Sequence, residues 1–254
     1  MIKPWLRFFR VVNLPTVPGD VLVGASVVVA SSSQGVGGDP LFAATLFVSC
    51  LASVFMYMFG LAQNDILGAE TDVGRPIPEG LISLAAAKTA CGVCWLLVGL
   101  VAMYPHGRMP FCAFAYVLVM TGLVSTYNVK KRPILMGLCR GVNVAYGGAV
   151  VFFDSLTSGR DSVFPLLWLG ACAAVWTVYI AAVTRYSEGE EMDTAKKRRV
   201  GFLIGAIVYL QLLVLVAAYL YAPNTMTRGA LLGGAAMLFL LRILKRLLPE
   251  VSAS

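Results

Sequence analysis

Long apolar runs, divided by short polar or proline- and glycine-rich stretches, set the pattern of this chain. The runs lie near 14–33, 40–63, 81–103, 110–127, 135–154, 162–184, 200–221 and 227–248. Each approaches the length of about 20 mostly apolar residues that carries a helix across hydrocarbon. The pattern therefore predicts eight transmembrane helices. Their dividers are Gly35 to Pro40, Gln63 to Gly80, Pro105 to Arg108, Lys130 to Pro133, Gly159 to Asp161, Arg185 to Arg199 and Pro223 to Arg228. The first run is the poorest, because Pro15, Pro18 and Asp20 interrupt it. Those interruptions also count against a cleaved signal peptide, whose apolar region is continuous.

Composition supports the same class. Of 254 residues, 59% are hydrophobic and 13% charged, with a mean hydropathy of +0.80. A soluble domain carries about 25% charged residues. These values exclude a soluble enzyme, a disulfide scaffold, a disordered tail and a nucleic-acid binder. They predict one multi-pass domain over 1–254, embedded in the lipid bilayer. The 20 Lys and Arg then orient it, since cytoplasmic loops retain cations. With the N-terminus inside, all but Arg108, Arg160 and Arg228 fall on the cytoplasmic side. The six cysteines are scattered through the runs, and the Cys91–Cys94 pair lies in an apolar stretch without a second pair. Helix packing is its expected role. The lone His106 falls in an external loop, which argues against histidine-centred or zinc chemistry.

Ionisable groups at the membrane are costly, so their placement points to function. Asp65, Glu70, Asp72 and Glu79 follow the second run, and Glu188, Glu190, Glu191 and Asp193 follow the sixth. The equivalent placement suggests two related four-helix halves. On a helix turning about 100° per residue, Asn64, Gly68 and Asp72 form a stripe flanked by Asp65, with Glu70 pointing away. Oxygen ligands gathered so suit a hard cation such as Mg2+. If the second cluster is helical, Tyr186, Glu190, Asp193 and Lys197 share a face. Tyr127, Asn128, Lys130, Lys131, Arg132 and Arg140 lie between the clusters on the same side. Acids and cations together form a cradle for a metal and a diphosphate.

These residues resemble the UbiA superfamily of intramembrane prenyltransferases and, within it, an EboC-like branch. Arg10-x-x-Asn13, the Asn64–Asp65 cluster running into Arg75-Pro76-Ile77-Pro78, and Gly137-Leu138-Cys139-Arg140 stand in the family's order. The segment from Asn64 to Gly80 is the most specific, resembling N-D-x-x-D-x-x-x-D followed by R-P. The resemblance implies a helical bundle around a cavity open to lipid, in which an isoprenyl diphosphate meets a lipophilic acceptor, aromatic or otherwise. It implies Mg2+ as cofactor and a polar site facing the cytoplasm. Carried over by position, the metal ligands are Asn64, Asp65, Asp72, Glu188, Glu190 and Asp193, with Asp65, Asp72 and Glu190 the catalytic carboxylates. Arg75, Lys130 and Arg140 would hold diphosphate, and Arg10, Asn13, Tyr127, Asn128 and Tyr186 would complete the site.

Three departures stand against that pattern. Gly68 occupies the place of the first motif's central Asp, Tyr186 falls at an Asp of the second motif, and eight spans are counted where the family has nine. Gly68 and Tyr186 are what an inactive UbiA-like scaffold, kept to bind or present a lipid, would carry. A secondary transporter would also have two similar halves, but it would place broken helices at the midplane rather than acids at helix ends.

Overall fold

The computed structural model describes residues 2–32, 40–103, 110–157, 163–188 and 194–248. Among them the chain is all helical. A short α1 (Ile2–Phe8) leads through a 3-10 turn (Val11–Thr16) into α2 (Pro18–Ser31) and α3 (Pro40–Leu67). Then follow α4 (Leu84–Met103), α5 (Pro110–Lys130), α6 (Pro133–Thr157), α7 (Phe164–Ser187), α8 (Thr194–Tyr221) and α9 (Thr225–Leu247). Proline opens α2, α3, α5 and α6, where its missing N–H costs no helical bond. Asn224 opens α9 by a reciprocal cap with Thr227, whose backbone N–H donates to Asn224 Oδ1 at 2.9 Å.

Seven of the described helices are long and apolar enough to cross a bilayer. The eighth expected span, α9, is not among them, because Arg228, Arg242, Lys245 and Arg246 leave its apolar stretch short. It nevertheless runs back along α8. Gly234 packs against Leu212 and Leu215, Arg242 donates to Tyr209 Oη at 3.0 Å, and Lys245 Nζ lies 3.5 Å from the Gly201 carbonyl. Leu232 and Phe239 are exposed on its outer face, where acyl chains are the fitting neighbours. At about 1.5 Å per residue, α9 is about 34 Å long, enough to cross. Its cations cluster at the ends, where they reach polar surroundings.

The most enclosed helix is α2, packed against α3, α6, α7, α8 and α9. Lipid offers no hydrophobic drive between helices, so close backbone approach must supply the packing. Glycines make it possible. A Cβ on Gly24 would run into the Val144 carbonyl of α6, and one on Gly147 into the Val21 carbonyl of α2. The six cysteines are all free, and Cys91 and Cys94 pack within α4, as the apolar context predicts.

Candidate functional site

Arg10 ahead of the 3-10 turn, the loop after α3, and the ends of α3, α5 and α6 that carry the charged motifs meet around a cavity of about 240 Å³. Arg10, Asn64, Arg75, Tyr127 and Asn128 form its polar rim. Met56, Leu61, Met120, Val124 and Met136 form apolar walls, and Arg140 and Asn143 also line it.

The first acidic motif keeps the expected stripe. Although α3 ends at Leu67, Gly68 N–H donates to the Asn64 carbonyl at 3.0 Å and Asp72 N–H to the Gly68 carbonyl at 2.9 Å. Glu70 is exposed, as its position off the stripe predicts. Asp65 is the most deeply placed acid of the motif, at 1% exposure. Its Oδ1 pairs with Arg10 Nη2 at 3.1 Å and accepts from Asn64 Nδ2 at 3.3 Å. Its Oδ2 is buried without a hydrogen-bond partner, and so is Arg10 Nε. A buried donor and a buried acceptor left open in one place are costly unless a ligand engages them.

The loop after α3 is tied over the site by α1. Arg7 pairs with Glu79 at 3.0 Å and donates to the Gly74 carbonyl at 2.9 Å. Phe8 anchors beneath it with Ala62, Ile82 and Ala87. This brings Arg75 to the rim, where it has no direct ion pair among the described residues. Burial, and then the neighbouring Arg10, lowers the Arg75 pKa, while Asp65 and Asp72 push back.

Of the consecutive cations after α5, the structure selects Lys131. Both Lys130 and Lys131 are exposed, but Lys131 Nζ hydrogen-bonds Asn64 Oδ1 and lies 5.9 Å from the Tyr127 ring centroid. Burial lowers the Lys131 pKa and Asp72 opposes that shift. Helix α5 must stop ahead of Pro133, and Lys131 takes the left-handed cap position usually filled by glycine, with φ 50°. Arg10, with φ 42°, is the other non-glycine residue at positive φ among the described residues. Such backbone costs about 1–3 kcal/mol per residue and concentrates at functional sites. Both strained residues here are cations facing the same acidic motif.

The other expected residues divide. Asn128 lines the cavity, but its amide donates at 2.9 Å to both the Gly60 carbonyl and Gln63 Oε1, bracing α5 on α3. Asn13 sits in the 3-10 turn, outside the cavity lining. Arg140 reaches the cavity wall, but its guanidinium is turned to α2. It pairs with Asp20 at 2.8 Å and donates to the Thr16 carbonyl at 2.6 Å. That engagement fits a structural brace better than a mobile diphosphate ligand. Gln211 and Trp176 also donate to Asp20 Oδ1, at 2.7 and 2.9 Å.

The second acidic segment is not one continuous helix. Helix α7 ends at Ser187 and Glu188 is extended, so the shared face expected from Tyr186 onward is broken there. Tyr186 is exposed, with Lys196 Nζ 5.7 Å from its ring centroid, and it does not line the cavity. Glu190 and Asp193 lie outside the described residues, as does His106.

The described acids suit one hard cation sparingly. No cluster of three acidic, His or Cys residues occurs among them. Asp65, Asp72 and Asn64 would offer a cation at most two carboxylates and an amide whose oxygen already accepts from Lys131. Among these atoms Asp65 Oδ2 is buried without a hydrogen-bond partner. Gly68 belongs to this arrangement, because a Cβ there would run into the Asp72 carboxylate. An Asp at 68 would therefore displace Asp72 before adding a third ligand to the stripe. If the rim holds a diphosphate, Gly68→Ala should weaken the stabilisation it gives, read as a smaller Tm shift in detergent with an unchanged ligand-free Tm. An undiminished shift would show that the Asp72 carboxylate is free to move.

No family model matches the chain, and no curated protein matches it. Among solved structures it is similar to one from work on digeranylgeranylglyceryl phosphate synthase in membranes. The identity is 15%, the match covers 99% of this chain and 98% of that chain, and the TM-score is 0.49.

Proposed function

We propose that this protein is a UbiA-type prenyltransferase, moving an isoprenyl group from an isoprenyl diphosphate to a lipophilic acceptor within the membrane. One observation carries this reading. A single cavity joins a polar rim of Arg10, Arg75 and Asn64, the last held by Lys131 from outside the lining, to a wall of Met56, Leu61, Met120 and Val124. A charged head with a long apolar tail is the ligand that satisfies both ends. The polar face is proposed to be cytoplasmic, on the side that holds most of the cations.

In this arrangement the three cations hold the diphosphate, with Arg10 Nε as a ready buried donor. Their charge is fixed in place by strained backbone and helix ends, so it stabilises the departing diphosphate with little reorganisation as the allylic C–O bond breaks. The acceptor then bonds to that carbon and gives up a proton. Mg2+, held by Asp65, Asp72 and Asn64, would add charge neutralisation on the diphosphate oxygens. The apolar walls exclude water from the allylic carbon, favouring transfer to a lipid over hydrolysis.

The test is thermal stability of the purified protein with Mg2+ and either an isoprenyl diphosphate or the alcohol of the same chain. At a hundredfold excess over Kd, a bound ligand stabilises by about 2.7 kcal/mol. The diphosphate is expected to raise Tm and the alcohol to raise it far less. Equal shifts, or none with the diphosphate, would overturn the reading.

A further inference from the structure

Directly below the cavity, a second apolar recess of about 230 Å³ lies between α5 and α6. The two are in series along the same helix pair. Met120, Val124 and Tyr127 of α5 line the first, and Phe111, Cys112, Ala115, Tyr116 and Val119 line the second. On α6, Met136, Cys139, Arg140 and Asn143 give way to Val142, Ala145, Tyr146, Ala149 and Phe153. The recess faces outward, since Phe111 is 72% and Val119 49% exposed.

Tyr116 and Tyr146 line the recess, and Met120 and Asn143, next to them, line the cavity. Tyr116 stacks on Tyr146 with ring centroids 4.0 Å apart and planes 14° apart. Its hydroxyl donates at 2.9 Å to Asn143 Oδ1, on the cavity side. Tyr116 is 3% and Tyr146 4% exposed. A helix rises about 1.5 Å per residue, so the level of Tyr116 lies about 16 Å below that of Tyr127 at the rim, and Phe111 about 8 Å lower still.

We infer that Tyr116, held by Tyr146 and Asn143, determines the isoprenoid chain length this cavity accepts, by closing it off from the α5–α6 recess. The inference rests on the diphosphate reading above. With the ring in place, a tail descending from the rim stops at the stack. With the ring removed, the same tail continues into the recess and buries further methylene groups. The hydrogen bond to Asn143 matters because it fixes the ring across the opening rather than along it.

The experiment measures stabilisation by non-hydrolysable thiodiphosphates of geranyl, farnesyl and geranylgeranyl length, for the wild type, Tyr116→Ala, Tyr116→Leu and Tyr116→Phe. In the wild type, affinity is expected to stop rising with length within the series. Tyr116→Ala should lower the Kd of the longest ligand relative to the shortest by about tenfold, the effect of burying roughly two more methylene groups. Tyr116→Leu should move the same way by less, and it keeps an apolar side chain in place if alanine proves too disruptive to fold. Tyr116→Phe should stay near the wild-type profile. If the alanine and leucine variants keep the wild-type length profile, the gate is wrong while the diphosphate reading stands. If no protein in the set is stabilised by any of the ligands, the diphosphate reading fails and takes the gate with it.

Discussion

Replacing Arg140 by methionine is expected to destabilise the bundle by about 3–5 kcal/mol, because it leaves the Asp20 carboxylate buried without its counter-charge. Asp20 is fully buried on α2, the helix that touches most of the others. Arg140 meets it at 2.8 Å, and the same guanidinium donates to the Thr16 carbonyl, where the 3-10 turn enters α2. Gln211 from α8 and Trp176 from α7 complete the set. Four elements are thus joined through one carboxylate. The double variant Asp20→Asn/Arg140→Met should recover most of the loss, since a neutral amide can keep the Gln211 partner without a stranded charge. Thermal denaturation in detergent of the two variants and the parent would check this. An Arg140→Met protein as stable as the parent would show that the pair is not what joins these helices.

The second large effect separates adjacent lysines. Lys131→Met is expected to weaken isoprenyl diphosphate binding by about 10- to 100-fold, the value of one charge-assisted hydrogen bond of about 1.5–3 kcal/mol. Lys130→Met should change it by less than about twofold, because it is Lys131 and not Lys130 that bonds the Asn64 amide at the cavity rim. Titration of the diphosphate against each variant, followed by stability or calorimetry, distinguishes them. The reverse order of effects would place the phosphate on the outer face of the α5–α6 turn.

The contrast between those lysines shows what was legible beforehand. Eight apolar runs identified a membrane bundle because period and length survive without tertiary knowledge. The eighth fell short of the composition expected of a span, since α9 carries cations at both ends. The acid motif was legible as a stripe, and Asp65, placed beside it, proved to be its buried member. What one sequence cannot resolve is which of two adjacent cations turns inward. The left-handed cap ahead of Pro133 decides that, and it sets Lys131 against Asn64 where the resemblance had pointed to Lys130. Arg140 was likewise expected to hold phosphate because the resemblance carried it over. Its partner Asp20 looked like a blemish in the first span, and only the packing of α2 on α6, α7 and α8 shows why an acid is there. The signal was available in outline, since an acid in a span calls for a buried partner and Arg140 lies within another span.

The central claim is prenyl transfer, and turnover tests it most directly. The purified protein, reconstituted in bilayers with a lipid extract, would be incubated with Mg2+ and an isoprenyl diphosphate. Released diphosphate and prenylated lipid would be followed together. The account predicts that both appear in equal amounts and that both are lost in Asp72→Ala. Tight binding of the diphosphate with no release of diphosphate and no prenylated lipid would contradict it, and would leave a protein that holds an isoprenoid without transferring it.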